Sequence, residues 1–535
     1  MVRKLLLVAV ATSILLVTSC MTPPEVTESS GSDAQSNADS SSAHLDTDAD
    51  GSVSTAGNGE DSREDRGKED TGAGDPSVHP AEDLPHPAEL SRSRESQANV
   101  GKDAPIPPAI ANDPISEARA VVGVRPDRSF ELPAPPVRGD SAFSARPDYW
   151  WQEVSERVAS LDLETQIGQL LMIQFRVDAD GRPIREVTPG VRQLIETIQP
   201  GGVILFAENI STPEQTARFI RELQAASEIP LFISVDEEGG FVSRLNRSGA
   251  LGATRVPSAA TVGRTGDPEY ARRVGRLIGT ELRVLGINMN MAPVADVNTN
   301  PKSGIIAKYE RSFGGDPALV GEMVAAMVEG LQATGVSAVL KHFPGHGDTE
   351  LDTHTGAVVS DSSLDRLRAV ELVPFQYGIS AGADAVMTAH IAYPTITGTN
   401  RPATFSRALL IDVLRDELGF RGVVISDALE MGAVASSDLE ADPVVAAVAA
   451  GVDLVLSPRD PLGAHEALVT AVADGTLSRG RVRRAAEHVL RAKVRRGLFG
   501  PSTVPPHNPS DVLGSDEHAR IMEELLERAS REDDR

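Results

Sequence analysis

Residues 341–354 read Lys-His-Phe-Pro-Gly-His-Gly-Asp-Thr-Glu-Leu-Asp-Thr-His, so three imidazoles and two aspartates share one short stretch. Two chemistries use such a set. Histidines and carboxylates together can ligate zinc. Alternatively, a carboxylate beside a histidine orients and polarises the ring, which makes a proton shuttle near neutral pH. Asp352 and His354 stand two apart and fit the second arrangement. The metal reading is the weaker one, because the first apolar run of the folded sequence ends in Gln174-Phe175-Arg176 and offers no ligand. No metal and no cofactor is expected. Gly345 and Gly347 imply a loop that bends tightly or lets its backbone approach a ligand. A further carboxylate, Asp427, ends the run Val-Val-Ile-Ser-Asp. Cleaving a glycosidic bond with retention needs a proton donor for the leaving oxygen and a nucleophile on the opposite side of the anomeric carbon. Asp427 suits the nucleophile, and the Asp352–His354 dyad could replace the usual second carboxyl group.

Elements must hold these groups in place, and the apolar pattern supplies them. Eight runs rich in Val, Ile and Leu lie at 170–175, 202–206, 231–236, 287–293, 338–342, 385–390, 422–427 and 452–457. They show little polar alternation, as expected of parallel strands buried on both faces. Amphipathic stretches at 213–226, 268–285, 317–333, 364–380 and 407–418 separate them, and several open at Pro or just after Asp or Ser. Eight such units in roughly 350 residues predict an α/β fold, a (β/α)₈ TIM-type barrel spanning 147–500. An open doubly wound sheet is the alternative. In a barrel the chemistry sits at the carboxyl ends of the strands. Polar residues stand at five of those ends: Asp236, Asn290 leading to Asp296, Lys341-His342, His390 and Asp427. A last helix is expected over 478–496. Residues 501–535 form a tail with a Pro-rich stretch and a charged helical piece over 516–531.

The 535-residue chain carries a formal charge of −26. No broad basic face is available to neutralise phosphates, so nucleic acid is excluded as a partner. The single cysteine, Cys20, rules out an internal disulfide. Met-Val-Arg-Lys, an apolar run over 5–17 and then Thr18-Ser19-Cys20 have the order of a secretory signal, too short for a comfortable membrane span. Val17-Thr18-Ser19-Cys20 resembles the bacterial lipobox, which implies lipidation of Cys20. Residues 21–146 are acidic and then Pro-rich, and no Phe, Tyr or Trp occurs between Cys20 and Phe130. Such a stretch cannot bury enough apolar surface to offset chain entropy and is expected to be a disordered tether. About 125 flexible residues reach on the order of 60 Å. The chain is therefore expected in the bacterial cell envelope, anchored by lipid to a membrane and facing the periplasm or the exterior.

Four blocks, in order, resemble the NagZ-type β-N-acetylglucosaminidases of glycoside hydrolase family 3. They are Ser-Val-Asp236-Glu-Glu-Gly-Gly with Arg244, Glu-Arg311-Ser-Phe-Gly, the Lys341-to-His354 stretch, and Ser-Asp427-Ala-Leu-Glu-Met. The resemblance covers about 161–499. It implies that Asp427 attacks the anomeric carbon, that His354 is the acid/base supported by Asp352, and that Asp236, Arg244, Arg311, Lys341 and His342 bind the N-acetylglucosamine ring. It further implies that one barrel suffices, because the loop supplies the acid/base. Phe241 stands where these enzymes usually have Arg, and Ala428 where a second Asp is common. The carbohydrate partner would be a peptidoglycan fragment or a chitooligosaccharide. A β-glucosidase of the same fold and a non-catalytic sugar-binding lipoprotein are the alternatives.

Overall fold

The computed structural model describes residues 147–533, apart from 248, 352, 354–355, 436–438, 440 and 501–507. The expected signal peptide, Cys20 and the tether lie outside the described residues, and so do Asp352 and His354.

Eight parallel strands appear where the apolar runs predict them: β1 (Leu171–Gln174), β2 (Gly202–Ile204), β3 (Phe232–Val235), β4 (Met289–Asn290), β5 (Ser337–Phe343), β7 (Ala385–Thr388), β9 (Val423–Ile425) and β10 (Val455–Leu456). Two further short strands, β6 (Val358–Val359) and β8 (Ile391–Ala392), pair with each other beside the barrel and were not expected. The main sheet runs β10-β1-β2-β3-β4-β5-β7-β9. A parallel bridge between Ile425 and Leu454 joins its two ends, so the sheet closes into the barrel rather than the open alternative. Strand residues are buried almost throughout, which is why they lack alternation. Close approach is enforced at Gly202, where a Cβ would come within 2.6 Å of the Phe232 carbonyl oxygen on the next strand.

Six of the helices share one start. Thr188, Thr212, Asp267, Asp316, Asp442 and Asp460 each precede a Pro and accept a hydrogen bond from a first-turn amide. The side chain satisfies an otherwise unpaired donor, and Pro supplies a helical φ without needing its own N–H. The expected helix over 364–380 is instead two, Leu364–Ala369 and Leu372–Ser380, broken at Val370. Pro374 explains the break, because its ring would clash with the carbonyl four residues back.

Helix Arg479–Arg495 packs at the amino end of the barrel, where Lys493 is fully buried and donates to Gln169 Oε1 at 2.7 Å. Helix Pro147–Ser160 lies against it, with the Arg491 guanidinium 5.4 Å from the Trp151 ring. The C-terminal helix Asp516–Asp533 also docks on the barrel. Met522, Leu525 and Ala529 are buried, and His518 Nδ1 lies 2.8 Å from Glu281.

Candidate active site

β3 delivers Asp236, Glu237 and Glu238 to the carboxyl end of the barrel, and a tight turn follows. The Glu238 amide donates to the Val242 carbonyl at 2.9 Å, with Gly239 and Gly240 at φ +88° and +57° between them. Few other residues adopt these angles without strain. The turn brings Arg244 back, and its Nη2 donates to Asp236 at 3.3 Å. Glu237 points into the turn and accepts from the Arg244 and Leu245 amides at 2.8 and 3.0 Å. From β5, Lys341 Nζ reaches both Asp236 at 2.8 Å and Glu238 at 2.6 Å. Arg311 grips Glu238 through Nε and Nη2, each at 2.8 Å. The structure thus brings Asp236, Arg244, Arg311 and Lys341 into one cluster.

Opposing charges decide the protonation states there. Burial alone would raise the Asp236 carboxyl, but Lys341 and Arg244 hold it below its ordinary value. Burial is likewise outweighed at Glu238, which Arg311 and Lys341 hold far below the usual carboxylate range. Lys341 would be depressed by burial, yet Asp236 and Glu238 raise it. Among the described residues no cation is bonded to the Glu237 side chain, and burial pushes it up to about 7. Two carboxylates therefore face Lys341 and two permanently charged arginines. Arg244 Nε, Gln174 Oε1 at the end of β1 and Ser457 Oγ just after β10 are buried without a hydrogen-bond partner among the described residues. Such atoms suit sugar hydroxyls, which donate and accept.

His342 sits beside this cluster. Its Nδ1 lies 2.8 Å from Asp296 Oδ2, so Nδ1 carries the hydrogen and Nε2 faces away. Asp296 also accepts the His346 amide at 2.7 Å. His346 has a different role. Burial and the neighbouring His342 push it down to about 4, and its ring nitrogens meet Thr349 Oγ1 at 2.7 Å and Thr353 Oγ1 at 3.3 Å. It is a neutral strut rather than a proton carrier. The glycines of this loop approach protein: a Cβ on Gly347 would lie 1.8 Å from the Val297 carbonyl oxygen. Asp427 follows β9, half-buried, and its Oδ1 accepts from the Ala428 amide at 2.8 Å. The fully buried His390 bonds Thr404 Oγ1 through Nδ1 and the Ala428 carbonyl through Nε2, which steadies the residue next to Asp427. Among the described residues, no group of three or more His, Cys, Asp or Glu is placed to hold a metal ion.

The family model "Glycosyl hydrolase family 3 N terminal domain" matches residues 162–492. The chain belongs to glycoside hydrolase family 3. It is 34% identical to the β-hexosaminidase A of Pseudoalteromonas piscicida over 400 residues, which cover 68% of this chain and 66% of that protein. A solved family 3 β-N-acetylglucosaminidase from Paenibacillus sp. str. FPU-7 superposes with a TM-score of 0.64 at 38% identity, covering 69% of each chain. A β-N-acetylhexosaminidase structure from Beutenbergia cavernae DSM 12333 gives 0.56 at 33% identity, covering 63% of this chain and 99% of that one. The resemblance carried by the four blocks is borne out, and the chain is a glycoside hydrolase.

Sequence reasoning misses one member of this charged cluster. Glu238 links Arg311 to Lys341, whereas the four-block resemblance singles out only Asp236 at the end of β3. The signal was available, because a third consecutive carboxylate at a buried strand end needs a cation.

Proposed function

We propose that this chain is a retaining exo-β-N-acetylglucosaminidase that removes terminal, non-reducing β-linked N-acetylglucosamine. The observation that carries the reading is the buried cluster of Asp236, Glu238, Lys341 and Arg311, with Arg244 at its edge. Charged, oriented donors and acceptors distinguish the hydroxyls of one pyranose ring position by position. The names of the relatives favour an acetamido sugar over glucose.

In this mechanism the Asp427 carboxylate attacks the anomeric carbon while the bond to the leaving oxygen breaks, and protonated His354 gives that oxygen its proton. A glycosyl ester on Asp427 results. Water then attacks the same carbon and His354 takes its proton. The ester bond breaks, releasing the sugar with its original configuration and restoring the carboxylate. Asp352 orients the His354 ring. Thr353, between the two, supports the assignment: it is buried, and its carbonyl accepts from the Ala433 amide at 3.2 Å, close in sequence to Asp427. His342 and Arg311 complete the ring-binding set.

The deciding experiment is release of p-nitrophenol from the β-N-acetylglucosaminide and the β-glucoside by the full chain and by Asp427→Ala. Preference for the acetamido sugar, lost on substitution, is the expected result. Preference for glucose favours the β-glucosidase alternative, and turnover of neither favours a binding protein. The natural substrates we propose are peptidoglycan fragments or chitooligosaccharides met in the cell envelope, with the enzyme held to a membrane by lipid on Cys20. Cys20→Ala should move activity from the membrane fraction to the soluble one; unchanged fractionation would remove the anchor from this account.

A further inference from the structure

Phe241 is a large apolar side chain left 58% exposed at the tip of the turn whose base holds Asp236, Glu238 and Arg244. It is stacked on Tyr309, with ring centroids 4.0 Å apart and planes inclined by 17°. Tyr309 precedes Arg311 by two residues, so both ends of the stack rise from the segments that carry the Arg311–Glu238 pair. The Tyr309 ring is also approached by Lys308 Nζ at 5.0 Å, which leaves Phe241 as the more open ring. Glu310, between Tyr309 and Arg311, holds φ +53°, an unfavourable angle for a residue with a Cβ. That conformation is pinned by Ser258 Oγ donating to the Glu310 carboxylate at 2.7 Å and by the Ala260 amide donating to its carbonyl at 3.1 Å. A strained residue with several anchors, supporting an exposed aromatic stack beside a sugar-sized polar cluster, points to a ligand.

We propose that the Phe241–Tyr309 stack is a platform for the sugar ring on the leaving-group side of the scissile bond, which makes Phe241 a determinant of acceptor-side specificity. This rests on the exo-glycosidase reading above. The charged cluster is buried and suits the hydroxyls of the terminal ring. The aromatic tip is exposed, where the remainder of a glycan must emerge. A β-linked pyranose has an apolar face of axial C–H groups, and such a face packs on an aromatic ring. The class of substrate favoured is therefore a β-linked aminosugar oligosaccharide rather than a terminal sugar on a small aglycone.

The test compares N,N′-diacetylchitobiose with the β-fluoride of N-acetylglucosamine, whose leaving group is too small to touch the platform. Both are assayed with the wild-type chain, Phe241→Ala and Phe241→Trp. For Phe241→Ala, the ratio of kcat/KM for the disaccharide to that for the fluoride should fall on the order of tenfold, through KM rather than kcat. Phe241→Trp should restore the ratio. If Phe241→Ala leaves the ratio unchanged, whether or not both substrates slow together, the platform is overturned while the hydrolase reading stands. If the wild-type chain turns over neither substrate, the hydrolase reading and the platform fall together.

Discussion

The two ends of the barrel both bury aspartates against arginines, and they use them differently. At the amino end, Asp384 precedes β7 and accepts from Arg496, from Arg495 at 3.1 Å and from Ser337 at 2.9 Å. Asp453 precedes β10 and is held by Arg415, by Arg481 at 3.2 Å, by His488 at 2.9 Å and by the Val424 amide at 3.0 Å. Most of these cations come from the Arg479–Arg495 helix and the residue after it, so the clusters fasten that helix to the strands. At the carboxyl end, Asp236 and Arg244 remain partly accessible, and Arg244 Nε has no hydrogen-bond partner among the described residues. Similar ion chemistry therefore closes the fold at one end and leaves a donor open at the other. What differs is whether any hydrogen-bonding capacity is left over.

A pair of substitutions breaks this comparison most sharply. Asp453→Ala strands two arginines in a buried site, and removing one partner of such a pair costs about 3–5 kcal/mol. Urea unfolding should register that loss, while kcat/KM of the molecules that stay folded changes little. Arg244→Ala should do the reverse. Asp236 keeps Lys341, so stability should fall by less than about 1 kcal/mol, and loss of a charged contact to substrate should lower kcat/KM by roughly 100-fold. If both variants lose stability and activity together, the division between the ends is wrong.

The sequence reveals the carboxyl end far better than the amino end, for a physical reason. Asp236, Lys341 and Asp427 each end an apolar run, so the strand itself reports where the side chain goes. Asp384 and Asp453 open their runs, and their purpose depends on a helix that comes later in the chain, which no local pattern shows. The barrel was legible because strands buried on both faces must be apolar and because Thr-Pro and Asp-Pro pairs mark helix starts. Strand lengths were not. The run at 287–293 yields only Met289–Asn290 as paired strand, since residues beyond it turn out to place Asp296. The break at Val370 is legible in Pro374, four residues on. The docking of the C-terminal helix was hidden because its apolar stripe, Met522, Leu525 and Ala529, sits in a strongly charged segment.

Glu237 at the carboxyl end should respond to pH in the opposite direction to Asp384 and Asp453 at the amino end. Asp384 and Asp453 are held below their ordinary values by cations despite burial, so their contribution is present above the unfolded carboxylate pKa of about 3.9 and is lost as pH falls through the folded value. Burial raises the folded pKa of Glu237 to about 7 from its ordinary value of 4.5. Its contribution is complete below the unfolded value and disappears as pH rises through about 7. Glu237→Gln should therefore reduce the decline in unfolding free energy between about pH 5 and pH 7.5, by on the order of 1–3 kcal/mol. Urea titrations of both proteins at those two pH values measure it. An equally steep decline in the variant would show that Glu237 is not the group that titrates.

The smallest expected effect tests whether location or ion chemistry sets the energies compared above. Arg273 bridges to Glu524 at 2.8 Å and ties the C-terminal helix to helix Pro268–Leu285. Its geometry is as good as that of the Asp453 cluster, but the side chains are 32% and 57% exposed. Solvent screens such a pair, and holding two long side chains in register costs entropy, so it contributes at most about 0.5–1 kcal/mol. The helix is held chiefly by Leu525, which is fully buried, and by the buried His518–Glu281 contact. Arg273→Ala should therefore leave the urea midpoint almost unchanged and 0.5 M salt should not alter that result, whereas Asp453→Ala remains destabilising at either ionic strength. A large loss for Arg273→Ala would mean that the C-terminal helix is fastened electrostatically, as the amino end is, and not by its apolar stripe.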